Sequence, residues 1–145
     1  MRIDNILLNK LTAQAQASSR LRMNLDLRNS AEDTSQRMLN ALEPGTVLPI
    51  HRHRTTSETV VILRGRAVQY LYDDAGNETG QVLLAAGAGD PHVALLLGLP
   101  EGAVSGMQVE KGLWHRLESL ESGTVIVEMK DGPYEPIGEG DSLIK

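Results

Sequence analysis

Between positions 20 and 28 apolar and polar side chains alternate without a break: Leu21, Met23, Leu25 and Leu27 against Arg20, Arg22, Asn24, Asp26 and Arg28. A period of two puts successive side chains on opposite faces of an extended chain, so this run predicts a strand with one apolar and one wet face. Just before it, over 6–17, the residues Leu7, Leu8, Leu11 and Ala15 recur three or four apart. That is the stripe of a short helix, expected to lean on the body of the fold.

Positions 29–35, rich in Asn, Ser, Asp and Thr, read as a loop, after which 36–42 can pair as a strand until Pro44 and Gly45 stop it. β-Branched and aromatic runs at 59–63 and 68–72 flank Arg64, Gly65 and Arg66, the spacing of a hairpin. A second hairpin is expected to join 68–72 to 81–85 through the Asp, Gly and Asn residues of 73–77. The apolar run 93–99, closed by Gly98 and Pro100, reads as a buried strand or a loop under the core. Glycine-rich breaks at 87–90 and 99–106 precede further strands at 107–109 and 124–129. Several short strands at regular spacing predict a mainly β sandwich or barrel. At 145 residues the chain has the size of one domain.

Charge and composition narrow the chemistry. A formal charge of -5 disfavours a nucleic-acid partner, and the absence of cysteine removes disulfides, thiolate ligands and thiol nucleophiles. Residues 1–19 carry polar side chains throughout and no run approaches a membrane span, so the cytoplasm is the expected location and no membrane contact is expected. Any metal must sit on histidine and carboxylate.

One constellation stands out. Gly45 is followed after five residues by His51, then come His53, Glu58 and, six residues further on, Gly65. Residues two apart on a strand face the same way, so His51 and His53 present both imidazoles to one side, and Glu58 returns a carboxylate at the start of the next strand. A fourth ligand is expected from Gly112-Leu113-Trp114-His115, where glycine allows a tight turn before a strand that delivers an imidazole from across the barrel. Three imidazoles and a carboxylate suit one divalent transition metal, Zn, Fe, Ni, Cu or Mn, with room left for substrate.

These residues resemble the two signature motifs of the cupin superfamily. The first is matched at every defined position from Gly45 to Gly65; the second departs at Glu110 and Ser119, where cupins have proline and asparagine. More narrowly, the chain resembles the WbuC family of cupin-fold metalloproteins. The resemblance lies in Ser19-Arg20-Leu21-Arg22-Met23-Asn24, in the run from 36 to 46 that ends Glu43-Pro44-Gly45-Thr46, in Leu63-Arg64-Gly65-Arg66 and in Asp131-Gly132-Pro133-Tyr134-Glu135-Pro136. It implies a double-stranded β-helix (jelly-roll) barrel over 36–136, with a helix and strand of 1–35 packed on it and a tail over 137–145. It also implies a bacterial setting linked to surface-polysaccharide assembly.

Arg20, Arg22 and Arg28 share a face of the first strand and, with Arg37 and Arg64, can hold a phosphate or carboxylate of a nucleotide sugar; a solvated strand or a dimer rim explains them without a ligand and is the stronger reading. Tyr70 and Tyr72 share a face, so one phenol pointing into the barrel is a proton-donor candidate, as is Glu110 beside the second motif; no catalytic group is fixed. Tyr134 and Trp114 read as core or rim residues, Lys111 as a hydrated neighbour of Glu110, and His92 as a loop histidine outside the ligand set. Several functions stay open. One is a metal-dependent sugar isomerase, epimerase or lyase working by Lewis-acid chemistry. Others are a non-catalytic sensor or binding module for a sugar or carboxylate, and an Fe-dependent oxygenase. An exposed first strand makes a homodimer the expected assembly.

Overall fold

The computed structural model describes residues 1–143; positions 144 and 145, the end of the expected tail, lie outside the described residues. Helix α1 (Asn5–Ala17) starts where the Asp4 carboxylate caps the Leu7 amide at 3.0 Å. Its buried stripe, Leu8, Leu11 and Ala15, packs on one face of a sheet. The strands follow in the order β1 (Arg22–Asp26), β2 (Ser35–Leu42), β3 (Ile50–His51), β4 (Glu58–Arg64), β5 (Arg66–Tyr72) and β6 (Glu78–Ala85). After helix α2 (Pro91–Leu96) come β7 (Gly106–Val109), β8 (Trp114–Ser119), β9 (Thr124–Asp131) and β10 (Ser142–Leu143). They form two five-stranded antiparallel sheets, β1-β2-β9-β4-β7 and β10-β3-β8-β5-β6. This is the mainly β jelly-roll with an N-terminal helix and strand that the sequence predicts.

Parity along the strands decides what faces where. On β1, β2 and β9 the odd-numbered residues Met23, Leu25, Leu39, Ala41 and Val125 pack against α1 on the outside of the sheet. The even-numbered residues face the barrel interior. At one end they join an apolar core of Leu42, Val60, Ile62, Leu84, Leu117 and Ile126; at the other they line a cavity. The wet face of the first strand is therefore turned toward the cavity, with Arg22 half-buried and Arg20 and Asn24 exposed at its rim.

Three local expectations need correction. β4 and β5 do not pair as a hairpin: they belong to different sheets, and the chain crosses between them at Gly65. That residue has φ +86°, and a Cβ there would collide with Thr124. Second, the apolar run at 93–99 is neither a strand nor buried. Asp90 accepts from the His92 and Val93 amides and Pro91 occupies the first turn, which starts α2. Leu95 and Leu96 are left 79% and 72% exposed. Third, within the segment expected as a tail, Ser142 and Leu143 form β10 and pair with β3 at Ser142↔His51 and Leu143↔Ile50.

Candidate metal centre and its cavity

His51 lies on β3 directly opposite His115 on β8, with ring centroids 4.3 Å apart. His53, two residues on, brings a third ring to 5.0 Å from His51 and 5.7 Å from His115. Glu58 opens β4 on the inner face, its Oε2 3.1 Å from His115 Nε2 and 3.4 Å from His53 Nε2. One ligand atom from each of the four residues lies within 4.8 Å of the others. The two motifs are also tied together. Gly112, at φ +84°, donates its amide to the His53 carbonyl at 2.7 Å, so the turn delivering His115 is fixed to the loop holding His53.

The donor chemistry fits a cation. His51 Nδ1 is 3.0 Å from the Pro49 carbonyl and His115 Nδ1 is 2.9 Å from the Leu113 carbonyl. A carbonyl can only accept, so both Nδ1 atoms carry a proton and both Nε2 atoms face the cluster. Burial, then the neighbouring His115, lowers the His51 pKa to about 4, so that ring is neutral at pH 7. Burial opposes charge on His115 as well, but its hydrogen bond to the Glu58 carboxylate outweighs this and raises its pKa. Burial likewise works against the Glu58 charge, yet His115 and His53 hold its pKa well below the ordinary carboxylate range. Without a metal, the raised His115 pKa favours a proton on Nε2 shared with Glu58, and a divalent ion could take that proton's place. Among the described residues no other His, Asp and Glu group has this geometry.

The cluster opens into a cavity of about 430 Å³ between the two sheets, with residues 133–138 passing over it. Arg20 and Arg22 line it, as do Asn24, Asn40, Gln69 and Glu128. Glu128 and Lys130 are ion-paired at 3.7 Å. Burial, reinforced by the Glu58 charge, raises the Glu128 pKa against the opposing pull of Lys130 and Asn40. Asp141 supports the cluster from outside. Its carboxylate accepts from Arg52 Nε and Arg54 Nε at 2.7 Å each, and these two arginines bracket His53 in sequence.

Other sequence candidates lie elsewhere. Arg64 donates to Asn9, Thr12 and the Gly123 carbonyl, which anchors α1 far from the cavity lining. Arg28 pairs with Asp26 and Arg37 with Asp33. Tyr70 and Tyr72 do not point into the barrel. They lie on the outer face of β5 beside Arg116 of the neighbouring β8, whose guanidinium lies 4.8 Å from the Tyr70 ring and whose Nε donates to the Tyr72 hydroxyl at 3.3 Å. Trp114 packs beside Tyr72 and Ile50. Glu110 is exposed in the turn before Gly112, and His92 is exposed on α2. Sequence reasoning missed Asn40, Gln69, Glu128 and Lys130. For β2 and β9 the available signal was a same-face series, Gln36, Met38, Asn40 and Glu128, Lys130, opposite apolar residues; it resembles an ordinary solvated face until α1 is known to cover the other side.

A family model described as Domain of unknown function (DUF6016) matches residues 3–84, more than half of the chain. No curated protein matches the sequence. Among solved structures the chain is similar to the capsular polysaccharide assembling protein CapF from Staphylococcus aureus, at 17% identity and TM-score 0.57, over 78% of this chain and 27% of that one. It is similar to oxalate oxidase in complex with the substrate analogue glycolate, at 15% identity and TM-score 0.60, over 84% of this chain and 56% of that one. It is also similar to KdgF from Halomonas sp., at 10% identity and TM-score 0.52, over 78% and 82% of the two chains. The first two relatives are thus much longer than the part this chain spans. At these identities the likeness establishes the fold, which is that of the cupins. No helix among the described residues is long and apolar enough to cross a membrane.

Proposed function

We propose that this chain, which belongs to the DUF6016 family, is a metal-binding cupin that acts on a sugar or nucleotide-sugar derivative. Its ligands are His51, His53, Glu58 and His115, and the ion is Zn, Fe, Ni or Mn. The observation that carries the reading is the convergence of four ligand atoms within 4.8 Å, two of them on rings whose Nδ1 is held by a backbone carbonyl so that Nε2 faces the cluster. A bound divalent ion supplies Lewis acidity to an oxygen of the ligand, the chemistry of isomerases, epimerases and lyases.

Catalysis is favoured over a purely binding or sensing module by Glu128. A barrel lined only by Leu, Val and Met offers nothing to move a proton, whereas here a half-buried carboxyl group with a raised pKa lines the same cavity as the cluster. The resemblance to the WbuC family and the likeness to CapF support a place in bacterial surface-polysaccharide metabolism in the cytoplasm. Strand β1 is an edge of its sheet, which supports a homodimer formed by pairing that edge with a second copy.

The test is metal analysis of protein purified without added ions, beside His53→Ala. One equivalent of a transition metal in the parent and a large loss in the variant are expected. A parent that neither contains nor takes up metal overturns the reading.

A further inference from the structure

Two polar atoms inside the cavity wall lack partners. Asn40 is 7% exposed and Gln69 2% exposed, and the Asn40 Oδ1 and Gln69 Nε2 atoms make no hydrogen bond. Asn40 Nδ2 points to Glu128 Oε1 at 3.4 Å, which fixes the amide so that its free atom is the acceptor. Gln69 offers the opposite, a free donor. Buried groups of this kind are costly unless something satisfies them. A hydroxyl both donates and accepts, so one kind of ligand group serves both.

Of the arginines that line the cavity, Arg52 is paired with Asp141 and two others lack a charged partner. Arg28, Arg37, Arg52, Arg54, Arg66 and Arg116 each have a carboxylate partner. Among the described residues Arg2, Arg20, Arg22 and Arg64 have none, and of these Arg20 and Arg22 line the cavity. Arg22 reaches only the Thr46 hydroxyl at 3.3 Å and the Val47 carbonyl at 3.2 Å, neutral acceptors that leave its charge uncompensated. Burial, and then the like charge of Arg20, lowers the Arg22 pKa. An anionic group would relieve both.

We propose that the cavity takes a hydroxy acid of the size of a single sugar, its carboxylate on Arg20 and Arg22 and its hydroxyls on Asn40 and Gln69. The inference deepens the metal reading and rests on it for the remaining ligand oxygens, which would face the His and Glu cluster. A volume of about 430 Å³ lies near the lower end for small-molecule sites. It suits one sugar ring, and the base of a nucleotide sugar would project beyond it.

The test is calorimetric titration of the full chain, loaded with zinc, with D-glucuronate, D-galacturonate and D-gluconate, and with D-glucose and UDP-glucose as contrasts. Metal content is measured on every sample. At least one hydroxy acid is expected to bind ten-fold or more tighter than glucose. Arg22→Met and Arg20→Met should each erase most of that advantage, and Asn40→Leu should weaken acid and neutral sugar alike, all with zinc retained. Equal binding of acid and neutral sugar, UDP-glucose as the sole tight ligand, or no binding by any of the three acids to zinc-loaded protein overturns the proposal while leaving the metal reading intact. Protein that holds none of Zn, Fe, Ni and Mn sinks the metal reading instead. The acids are then titrated against the metal-free chain, where a failure of Arg22→Met to weaken them overturns the anion site as well.

Discussion

The two ends of the barrel interior are buried alike and built oppositely. Leu42 and Asn40 are two residues apart on β2 and point the same way, at 0% and 7% exposure, yet one sits in an apolar core and the other on a polar wall. On β9 the fully buried Ile126 joins the core, and the half-buried Glu128 joins the polar wall. Burial alone therefore does not mark the site. The closed end gains stability by removing apolar surface from water. The open end loses some, because it desolvates charges and leaves two amide atoms without partners. Such a division assigns stability to one half of a barrel and recognition to the other.

Breaking the closed end should give the largest effect. Ile126→Ala removes a side chain with no exposed surface and should cost about 3 kcal/mol in urea denaturation, with metal content per folded chain unchanged. A metal loss as large as that of His53→Ala would show that the ends are not separable.

The pH response of the open end comes next. In the metal-free chain His51 titrates near 4 rather than its ordinary 6.5, so the unfolded chain takes up this proton first and acidification favours unfolding. His115, with a raised pKa, changes its contribution only above 6.5. Glu58, lowered, changes its contribution only below 4.5. Glu128, raised, runs the other way as pH falls toward 4.5. Between pH 6.5 and 4.5 the parent should lose on the order of 2 kcal/mol relative to His51→Gln. Thermal melts of the two proteins that stay parallel across this range would refute the assignment.

A third test sharpens the contrast from outside the cavity. Asp141→Asn loosens both Arg52 and Arg54 beside His53, and should weaken metal binding roughly ten-fold by the usual cost of a lost supporting contact. Competition with a chelator reads this directly. The smallest effect should have the opposite sign. Gln69→Met removes a buried unpaired donor at similar volume, so the metal-free chain should gain about 1 kcal/mol. A loss of stability would mean that Gln69 already has the partner it lacks here.

Much of this was legible in the chain. The helix stripe, the alternation at 20–28 and the Gly45-to-Gly65 and Gly112-to-His115 spacings depend on local periodicity, and local geometry carries them into the structure unchanged. What failed depends on contacts between distant segments. Alternation at 20–28 gives two faces but not their surroundings, and α1, by covering the apolar face, turns Arg22 and Asn24 inward. Around Gly65 two strands and a glycine look alike whether the chain reverses within one sheet or crosses to another. For 93–99, hydrophobicity suggested burial, while the Asp90 cap and Pro91 decided for a short exposed helix. Strand β10 has two residues and exists only through its pairing with β3.

Helix α1 seals the outer side of the β1, β2 and β9 surface, and this gives the even-numbered positions of those strands a freedom the odd ones lack. Seven of them line the cavity, and each can be exchanged without touching the seam that joins helix to sheet. A lineage could retune what enters the barrel along these rows while the packing that keeps it folded stays untouched.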